Sequence, residues 1–269
     1  MLKLIIYKKL ETTMFFWGVR HLYNICNGGF ILNISRGKSN DSDLKFDTEL
    51  INRNSDFSVV EAYKSIRTNI MYSIPKTEHG KVIVLTSSTA SEGKTTTCIN
   101  LALTFAQINS KVLLIDCDLR RPKVHRYLKL DKKDGLSNVL CGFSELGKAI
   151  KVGVRENLDV LTAGEMPPNP AELIQTQEFE RLINFLKTKY DYIFIDTPPV
   201  SLVTDATLTV KYSAGVIVLV KKNVTTFDLL DESIEKLRRV NANIIGTIMI
   251  DSLENQKSRK KYYDGYGSK

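Results

Sequence analysis

Residues 82–96 read VIVLTSSTASEGKTT and join two kinds of local sequence. The apolar, β-branched run at 82–86 is typical of a strand that is buried on both faces. The segment at 88–96 then follows the pattern G-x-x-x-x-G-K-[ST], except that Ser88 stands where the first glycine is expected. Glycine lets backbone N–H groups approach phosphate oxygens, and the following helix adds the positive end of its dipole. The stretch therefore predicts a strand, a phosphate-binding loop and a helix in succession.

The loop supplies candidate nucleotide-binding residues. They are Ser91, Glu92, Gly93, Lys94, Thr95 and Thr96. In this pattern the lysine reaches the β- and γ-phosphates of the nucleotide, and the hydroxyl after it binds Mg²⁺. A bare Gly-Lys-Thr would also fit an ordinary helix start, but its position directly after a buried strand favours nucleotide binding.

Carboxylates follow two further apolar runs. Residues 112–115 lead into Asp116 and Asp118, and residues 192–195 lead into Asp196. Ligands of open α/β sheets bind beyond the carboxyl ends of the strands. Asp196 suits the aspartate that holds Mg²⁺ in such sites, although an aspartate at a strand end can also form a turn or cap. We expect all three loops to open onto one crevice.

Strand-like and helix-like patterns alternate along the chain. Further strands are predicted at 158–161, 215–220 and 244–250, and helices at 95–107, 177–187, 204–212 and 227–240. Another helix is predicted to start with a capping box of Ser58 and Glu61 and to bury Val59, Tyr63, Ile66 and Ile70. This alternation predicts an α/β, P-loop NTPase-like parallel sheet flanked by helices on both faces.

Composition sets the general class. The chain has 269 residues and a net charge of +8, which favours anionic partners. Its four cysteines are far apart and its three histidines are isolated, so neither a disulfide framework nor a cysteine-ligated cluster is expected. No apolar run reaches the roughly 20 residues of a membrane span, and no secretory signal is recognisable. We expect a soluble cytoplasmic protein.

The chain divides into three parts. Residues 56–252 form the predicted P-loop domain, and residues 1–55 are an N-terminal extension of uncertain order. In that extension, residues 14–34 are either an amphipathic docking segment or a poorly ordered piece, and the polar run at 35–43 indicates a linker. Residues 253–269 are predicted to be a flexible tail with Tyr262, Tyr263 and Tyr266 after four basic residues.

The segment Asp116-x-Asp118-x-Arg120 after an apolar strand resembles the Walker A′ motif of bacterial tyrosine kinases, the capsule and exopolysaccharide autokinases. The resemblance covers about residues 58–251 and extends through several further segments within that range. These are 135–140, 161–164, 167–173, 196–199 and 204–206. The chain is similar to the cytoplasmic subunit found where the kinase and its transmembrane adaptor are separate polypeptides.

The resemblance implies roles for the candidate residues. Lys94, Asp116 and Asp118 would be catalytic, one aspartate helping to take the proton of the tyrosine. Thr95, Asp116 and Asp196 would hold Mg²⁺ beside ATP. The tyrosines of the tail would be phosphorylated in trans by a neighbouring subunit.

The resemblance also implies partners. Glu61, Lys64 and Arg67 look like the family's oligomerisation motif, with lysine in place of its first arginine, and would close a homo-oligomeric ring. The other partners would be a transmembrane polysaccharide co-polymerase or adaptor, which recruits the kinase to the inner face of the cell membrane, and a cognate tyrosine phosphatase. No nucleic acid partner is expected. The process regulated would be the synthesis and export of capsular or extracellular polysaccharide.

Two other classes remain open. Partitioning and septum-placing ATPases share the fold, but their signature lysine would occupy the position of Thr89. A non-kinase ATPase switch of that type would need the same P-loop and no tyrosine tail. A catalytically weak binding subunit of a polysaccharide export complex is the third possibility.

Overall fold

The computed structural model describes residues 30–36, 50–52, 55–75 and 78–252. Within these ranges the chain forms an eight-stranded sheet with the order β1-β8-β7-β2-β6-β3-β5-β4. The strands are β1 Phe30–Arg36, β2 Lys81–Ser87, β3 Val112–Asp116, β4 Ile150–Arg155, β5 Leu158–Leu161, β6 Tyr192–Asp196, β7 Gly215–Lys221 and β8 Ile244–Ser252. All neighbouring pairs are parallel except β4 and β5.

Helices cover the sheet and connect its strands. They are α1 Phe57–Ser73, α2 Lys94–Ala106, α3 Val124–Tyr127, α4 Leu136–Leu140, α5 Leu146–Ala149, α6 Pro170–Ile174, α7 Gln177–Lys187, α8 Asp205–Val210 and α9 Phe227–Arg239. The four helices predicted after the first are all present, and α7 has the predicted ends. In the described part of the chain, no helix combines the length and the apolar character that a membrane crossing requires.

Successive residues of the central strands pack on opposite faces of the sheet. Val82 and Val84 belong to the core that includes Phe179 of α7, whereas Ile83 and Leu85 belong to the core with α1 and α2. Burial on both faces explains why these strands are continuous apolar runs instead of alternating patterns. The predicted α/β architecture, with helices on both faces of a largely parallel sheet, is confirmed.

The start of the sheet differs from the prediction. Residues 30–36, assigned to the extension and its linker, form the edge strand β1, which pairs in parallel register with residues 246–252 of β8. At the other edge, β4 is an antiparallel strand that the sequence did not predict. No residue of β4 is fully buried, so this strand lacks the continuous apolar run of a strand that is covered on both faces.

The predicted capping box is wrong. Helix α1 begins at Phe57 with Asp56 as its N-cap, and no side chain caps this end. Glu61 instead accepts a hydrogen bond from the ammonium of Lys64 at 2.7 Å. Tyr63, Ile66 and Ile70 are buried as predicted, whereas Val59 is only partly buried against the same core.

Gly135 lies where two loops meet, and an alanine there is expected to destabilise the protein. A Cβ at this position would stand 2.1 Å from the backbone nitrogen of Gly164 and 2.5 Å from the carbonyl oxygen of Thr162. Because backbone atoms cannot move aside cheaply, we expect Gly135→Ala to lower the free energy of unfolding by about 3 kcal/mol. Gly147→Ala is the control, since nothing lies within 4 Å of its Cβ position. Urea unfolding with equal midpoints for the two variants would contradict the expectation.

Candidate active site

The predicted phosphate-binding loop lies between β2 and α2. Gly93 is the N-cap of α2 and has a φ of 85°, in the left-handed region that glycine adopts without strain. Ser91, two residues earlier, also has a positive φ of 63°. The loop therefore turns sharply directly before α2, and the N-terminus of a helix is a place where backbone N–H groups bind anions.

Lys94 and Thr95 both contact one carboxylate at the end of β6. The ammonium of Lys94 lies 2.6 Å from Oδ1 of Asp196, and the Thr95 hydroxyl donates to Oδ2 at 2.6 Å. Strands β2 and β6 are neighbours in the sheet, so their carboxyl ends bring these residues together. The structure thus joins two of the three predicted loops into one site.

Asp116, at the end of β3, is held by the backbone. Its Oδ1 accepts the N–H of Asp118 at 3.1 Å, and its Oδ2 accepts the N–H groups of Lys123 at 3.2 Å and Val124 at 3.1 Å. The side chain is fully buried. Burial, together with repulsion from Asp196 and Asp118, raises the pKa of Asp116 to about 8. This carboxylate mainly orders the loop that follows β3.

Asp118 is the more accessible carboxylate of the pair. It is 9% exposed, and its Oδ2 lies 3.9 Å from the ammonium of Lys94. Its Oδ1 accepts the N–H of Arg121 at 3.0 Å. Burial raises the pKa of Asp118, with the nearby Lys94 opposing that shift. For Lys94, burial lowers the pKa, but attraction from Asp196 and Asp118 outweighs it and leaves the pKa above its usual value.

The donor set fits magnesium and nucleotide phosphates. The ammonium of Lys94 lies beside Asp196 and Asp118, and Asp116 is near enough to help raise its pKa, so acidic groups outnumber the one ammonium and would attract a divalent cation. Among the described residues, no three His, Cys, Asp or Glu side chains form a group that would hold a metal alone. Mg²⁺ does not need one, since it usually keeps waters and binds one or two carboxylates plus substrate phosphates. Thr95, Asp116 and Asp196 are the residues that would hold it.

Glu92 holds the loop in place. This buried residue accepts the backbone N–H of Thr89 at 2.9 Å and the hydroxyl of Thr225, from the loop after β7. The Thr225 oxygen in turn accepts the N–H of Lys221 at 2.8 Å. The carboxylate of Glu92, predicted to bind nucleotide, is therefore directed at protein groups and clasps the phosphate-binding loop to a neighbouring loop.

Thr225→Val is expected to loosen this clasp. Valine has a similar shape but cannot donate to Glu92, so a buried carboxylate loses a hydrogen bond, which costs about 2 kcal/mol. We expect urea unfolding at lower concentration and weaker binding of Mg-ADP, because the binding conformation of the loop is less populated. Thr207→Val, which removes only a hydroxyl bonded within its own helical turn, should change neither. Unchanged Mg-ADP affinity in Thr225→Val would show that the clasp does not order the loop.

Arg120 and Asp205 form a second link that the sequence did not predict. The guanidinium of Arg120 donates to Asp205 from Nε at 2.9 Å and from Nη2 at 3.2 Å. Asp205 is fully buried at the start of α8. Both residues lie in segments that carry the family resemblance. The signal for the pair in the sequence was one cationic residue in the first segment and one acidic residue in the second.

Thr96, the last predicted residue of the loop, is buried in the first turn of α2, and the predicted oligomerisation residues lie on α1. Glu61 and Lys64 pair with each other on α1, and Nη1 of Arg67 donates to the carbonyl of Thr104 at 2.6 Å. Tyr262, Tyr263 and Tyr266 lie outside the described residues.

A buried strand, a left-handed glycine at a helix start, and a lysine and threonine on one aspartate define a P-loop nucleotide-binding protein. A family model described as an AAA domain matches residues 80–250. The tyrosine-protein kinase YwqD of Bacillus subtilis is 36% identical over 203 residues, which cover 76% of this chain and 85% of that protein. The chain belongs to the bacterial tyrosine-protein kinase family.

Other relatives are much longer than the matched region. The tyrosine-protein kinase wzc of Salmonella typhimurium is 33% identical over 190 residues, which cover 71% of this chain. The match spans 26% of the length of that protein.

Solved structures agree with this family. The chimerical protein CapA2B2 superposes with a TM-score of 0.76 at 32% identity and covers 86% of this chain and 97% of its own. The kinase domain of Escherichia coli ETK gives 0.72 at 31% identity, covering 82% and 84%. The septum site-determining protein MinD of Pyrococcus horikoshii, solved with Mg-ADP, gives 0.55 at 26% identity, covering 63% and 70%.

Proposed function

We propose that the chain is an ATP- and Mg²⁺-dependent protein-tyrosine kinase that phosphorylates Tyr262, Tyr263 and Tyr266 of a neighbouring copy. The observation that carries this proposal is the partly accessible carboxylate of Asp118 beside Lys94, in a chain of the tyrosine-kinase family. A nucleotide switch needs the P-loop and a magnesium ligand. A kinase needs in addition a group that takes the proton of its acceptor.

Asp118 is the better placed of the two aspartates for that role. A phenol with a pKa near 10 is a poor nucleophile until its proton is accepted. The oxygens of Asp116 already accept three backbone N–H groups, whereas Oδ2 of Asp118 faces Lys94. The tyrosine oxygen would bond to the γ-phosphorus, the bond to the ADP oxygen would break, and the proton would pass to Asp118.

Lys94 and the loop backbone supply positioning and charge. The ammonium of Lys94 would bind the phosphates, and the backbone N–H groups around Gly93 would hold them against the helix start. Thr95, Asp116 and Asp196 would hold Mg²⁺, which would neutralise part of the phosphate charge. The clasp from Glu92 to Thr225 keeps the loop in the shape that these contacts require.

Partners follow from the same family relation. We propose a transmembrane adaptor that recruits the chain to the inner face of the membrane, a homo-oligomeric ring, and a cognate phosphatase that resets the tail, together regulating polysaccharide synthesis and export. Glu61, Lys64 and Arg67 would contribute to the ring, where the N–H groups of Arg67 not bonded to Thr104 can reach a neighbour. Phosphorylation of the tails would add like charges and loosen the ring.

Two variants mixed together test the proposal. One carries Tyr262→Phe, Tyr263→Phe and Tyr266→Phe and keeps the active site; the other is Lys94→Met and keeps the tail. Incubated with Mg-ATP and the adaptor's cytoplasmic peptide, the pair should yield phosphotyrosine on the tail of the Lys94→Met chain, detected by mass spectrometry, whereas each alone yields none. ATP hydrolysis without phosphotyrosine in the mixture and in the unmodified chain would contradict the kinase.

That contrary result would favour a non-kinase ATPase switch. The fold shared with MinD supports this second candidate. Deletion of residues 256–269 discriminates the two directly: it would leave a switch intact, but it would remove the phosphate acceptors of the kinase.

A further inference from the structure

A basic cavity lies at the amino ends of the central strands, and the phosphate-binding loop lies at their carboxyl ends. Its volume is about 300 Å³, and it is lined by residues 78–81 leading into β2, by the residue before β3, and by residues 187–191 from the end of α7 to the start of β6. Four of the lining residues are lysines, namely Lys81, Lys111, Lys187 and Lys189. Because β2 spans seven residues at about 3.3 Å each, roughly 20 Å separates this cavity from the loop at the other end of the strand.

Backbone hydrogen bonds fix the frame of the cavity. The N–H of Gly80 donates to the carbonyl of Lys187 at 2.8 Å, that of Lys81 to Asp191 at 2.9 Å, and that of Asp191 to Lys111 at 2.8 Å. A Cβ on Gly80 would stand 2.0 Å from the carbonyl oxygen of Tyr190, so only glycine permits this approach. The four lysines therefore project from a preorganised frame, which lowers the cost of binding a ligand.

Glu78 and Asp191 also line the cavity, but no ion pair within the described ranges joins either of them to these lysines. The Asp191 carboxylate accepts the backbone N–H of Lys111 at 2.7 Å, and Asp159 accepts the hydroxyl of Tyr190 at 2.7 Å. In the part of the chain that the structure describes, none of the four ammonium groups forms an ion pair. Those of Lys81 and Lys111 instead lie 5.2 Å from the ring centres of Tyr192 and Tyr190.

Lys187 shows the consequence of this lack of acidic partners. It is half-buried, and burial alone lowers its pKa, with no carboxylate offsetting the effect. A bound anion would supply the missing counter-charge.

We propose that this cavity, defined by Lys81, Lys111, Lys187 and Lys189, binds a compact phosphate group. Ammonium groups are point charges that can approach a phosphate from several directions, and several of them match its multiple charge. A cavity of this volume is at the small end of ligand pockets, which suits a phosphate or diphosphate. The group can belong to a soluble phosphate compound or to the headgroup of an acidic lipid, and the two sources are separable by experiment.

The test uses the full chain with its nucleotide site filled by Mg-ADP, so that the phosphate-binding loop cannot contribute. Inorganic pyrophosphate is titrated in by calorimetry at fixed free Mg²⁺. We expect saturable binding that Lys111→Gln and Lys187→Gln each weaken by about tenfold, since each removes one charge-assisted contact. Lys148→Gln is the matched control, because that lysine is exposed and pairs with Glu145 at 3.3 Å. Thermal unfolding of each variant verifies that it is folded.

Co-sedimentation with phosphatidylcholine vesicles, with and without phosphatidylglycerol, distinguishes the source. Pyrophosphate binding that is weakened in both cavity variants assigns the site to soluble phosphate compounds. Binding only to the acidic vesicles, weakened in the same variants, assigns it to lipid headgroups. Either result supports the anion site. Absence of both kinds of binding, or equal binding by the wild-type chain and the cavity variants, would overturn it.

Discussion

Asp118→Asn is expected to lower the rate of phosphate transfer to tyrosine by about 10²- to 10⁴-fold, the usual contribution of a general base. Asparagine keeps the oxygen that accepts the N–H of Arg121, so the loop should retain its shape. It cannot take a proton from the phenol. Mg-ADP should bind at least as tightly as before, because a negative charge has been removed beside the phosphates.

The measurement separates chemistry from binding. Rates of phosphotyrosine formation are followed on a Lys94→Met acceptor chain, and Mg-ADP affinity by calorimetry. Asp131→Asn, an exposed change that keeps the local backbone contact to Lys133, serves as the control and should behave as wild type. A rate for Asp118→Asn within threefold of wild type would exclude this residue as the proton acceptor.

The same substitution at Asp116 should behave differently. One oxygen of Asp116 accepts two backbone N–H groups, and an amide nitrogen there would face two donors. We therefore expect Asp116→Asn to disturb the loop after β3 and to lower the free energy of unfolding as well as the activity. The contrast between the two neighbouring aspartates follows from their hydrogen bonds and is absent from the sequence motif, which treats them alike.

The central strands were predictable because burial on both faces restricts their composition. Every residue of β3 and β6 is buried, so each strand is an apolar run that can be recognised without knowing its neighbours. Strand β1 was not recognised, because its existence depends on pairing with β8, more than two hundred residues away. The capping box failed for a related reason: Ser58 and Glu61 have the right spacing, but the helix begins earlier and Glu61 pairs with Lys64.

The residues of the site also differ in whether a local sequence pattern predicts them. Lys94 and Thr95 follow β2 in a recognisable loop pattern, and Asp196 ends the apolar run of β6. Parallel strands bring their carboxyl ends to the same side of the sheet, so these residues meet there. Glu92 and Thr225 are 133 positions apart, and no local pattern indicates that a loop glutamate is bonded to that threonine. Local sequence thus identified the groups that face the ligand better than the contacts that hold them in place.

Lys94→Met is expected to reduce phosphate transfer by about 10³-fold, the effect of removing a preorganised charge at a developing negative centre. Methionine is an unbranched side chain of similar length and fills much of the same space. The loss should therefore be electrostatic more than steric. It leaves Asp196, Asp118 and Asp116 close together without the ammonium that now lies 2.6 Å from Asp196. The phosphates of ATP would then meet three carboxylates with one positive partner fewer, so Mg-ATP should also bind more weakly.

Lys94→Arg separates the effect of charge from that of shape, because it keeps the positive charge and changes the shape of the group that carries it. A planar guanidinium is bulkier than an ammonium and would not fit between Asp196 and Asp118 in the same position, so this variant should also be impaired. Initial rates are measured with a wild-type tail as acceptor, and Lys148→Met controls for loss of an exposed lysine. If Lys94→Met transferred phosphate at a rate near that of Lys148→Met, the charge of Lys94 would not be part of the reaction. Full activity of Lys94→Arg beside an inactive Lys94→Met would show that charge alone suffices and that the position of the ammonium does not matter.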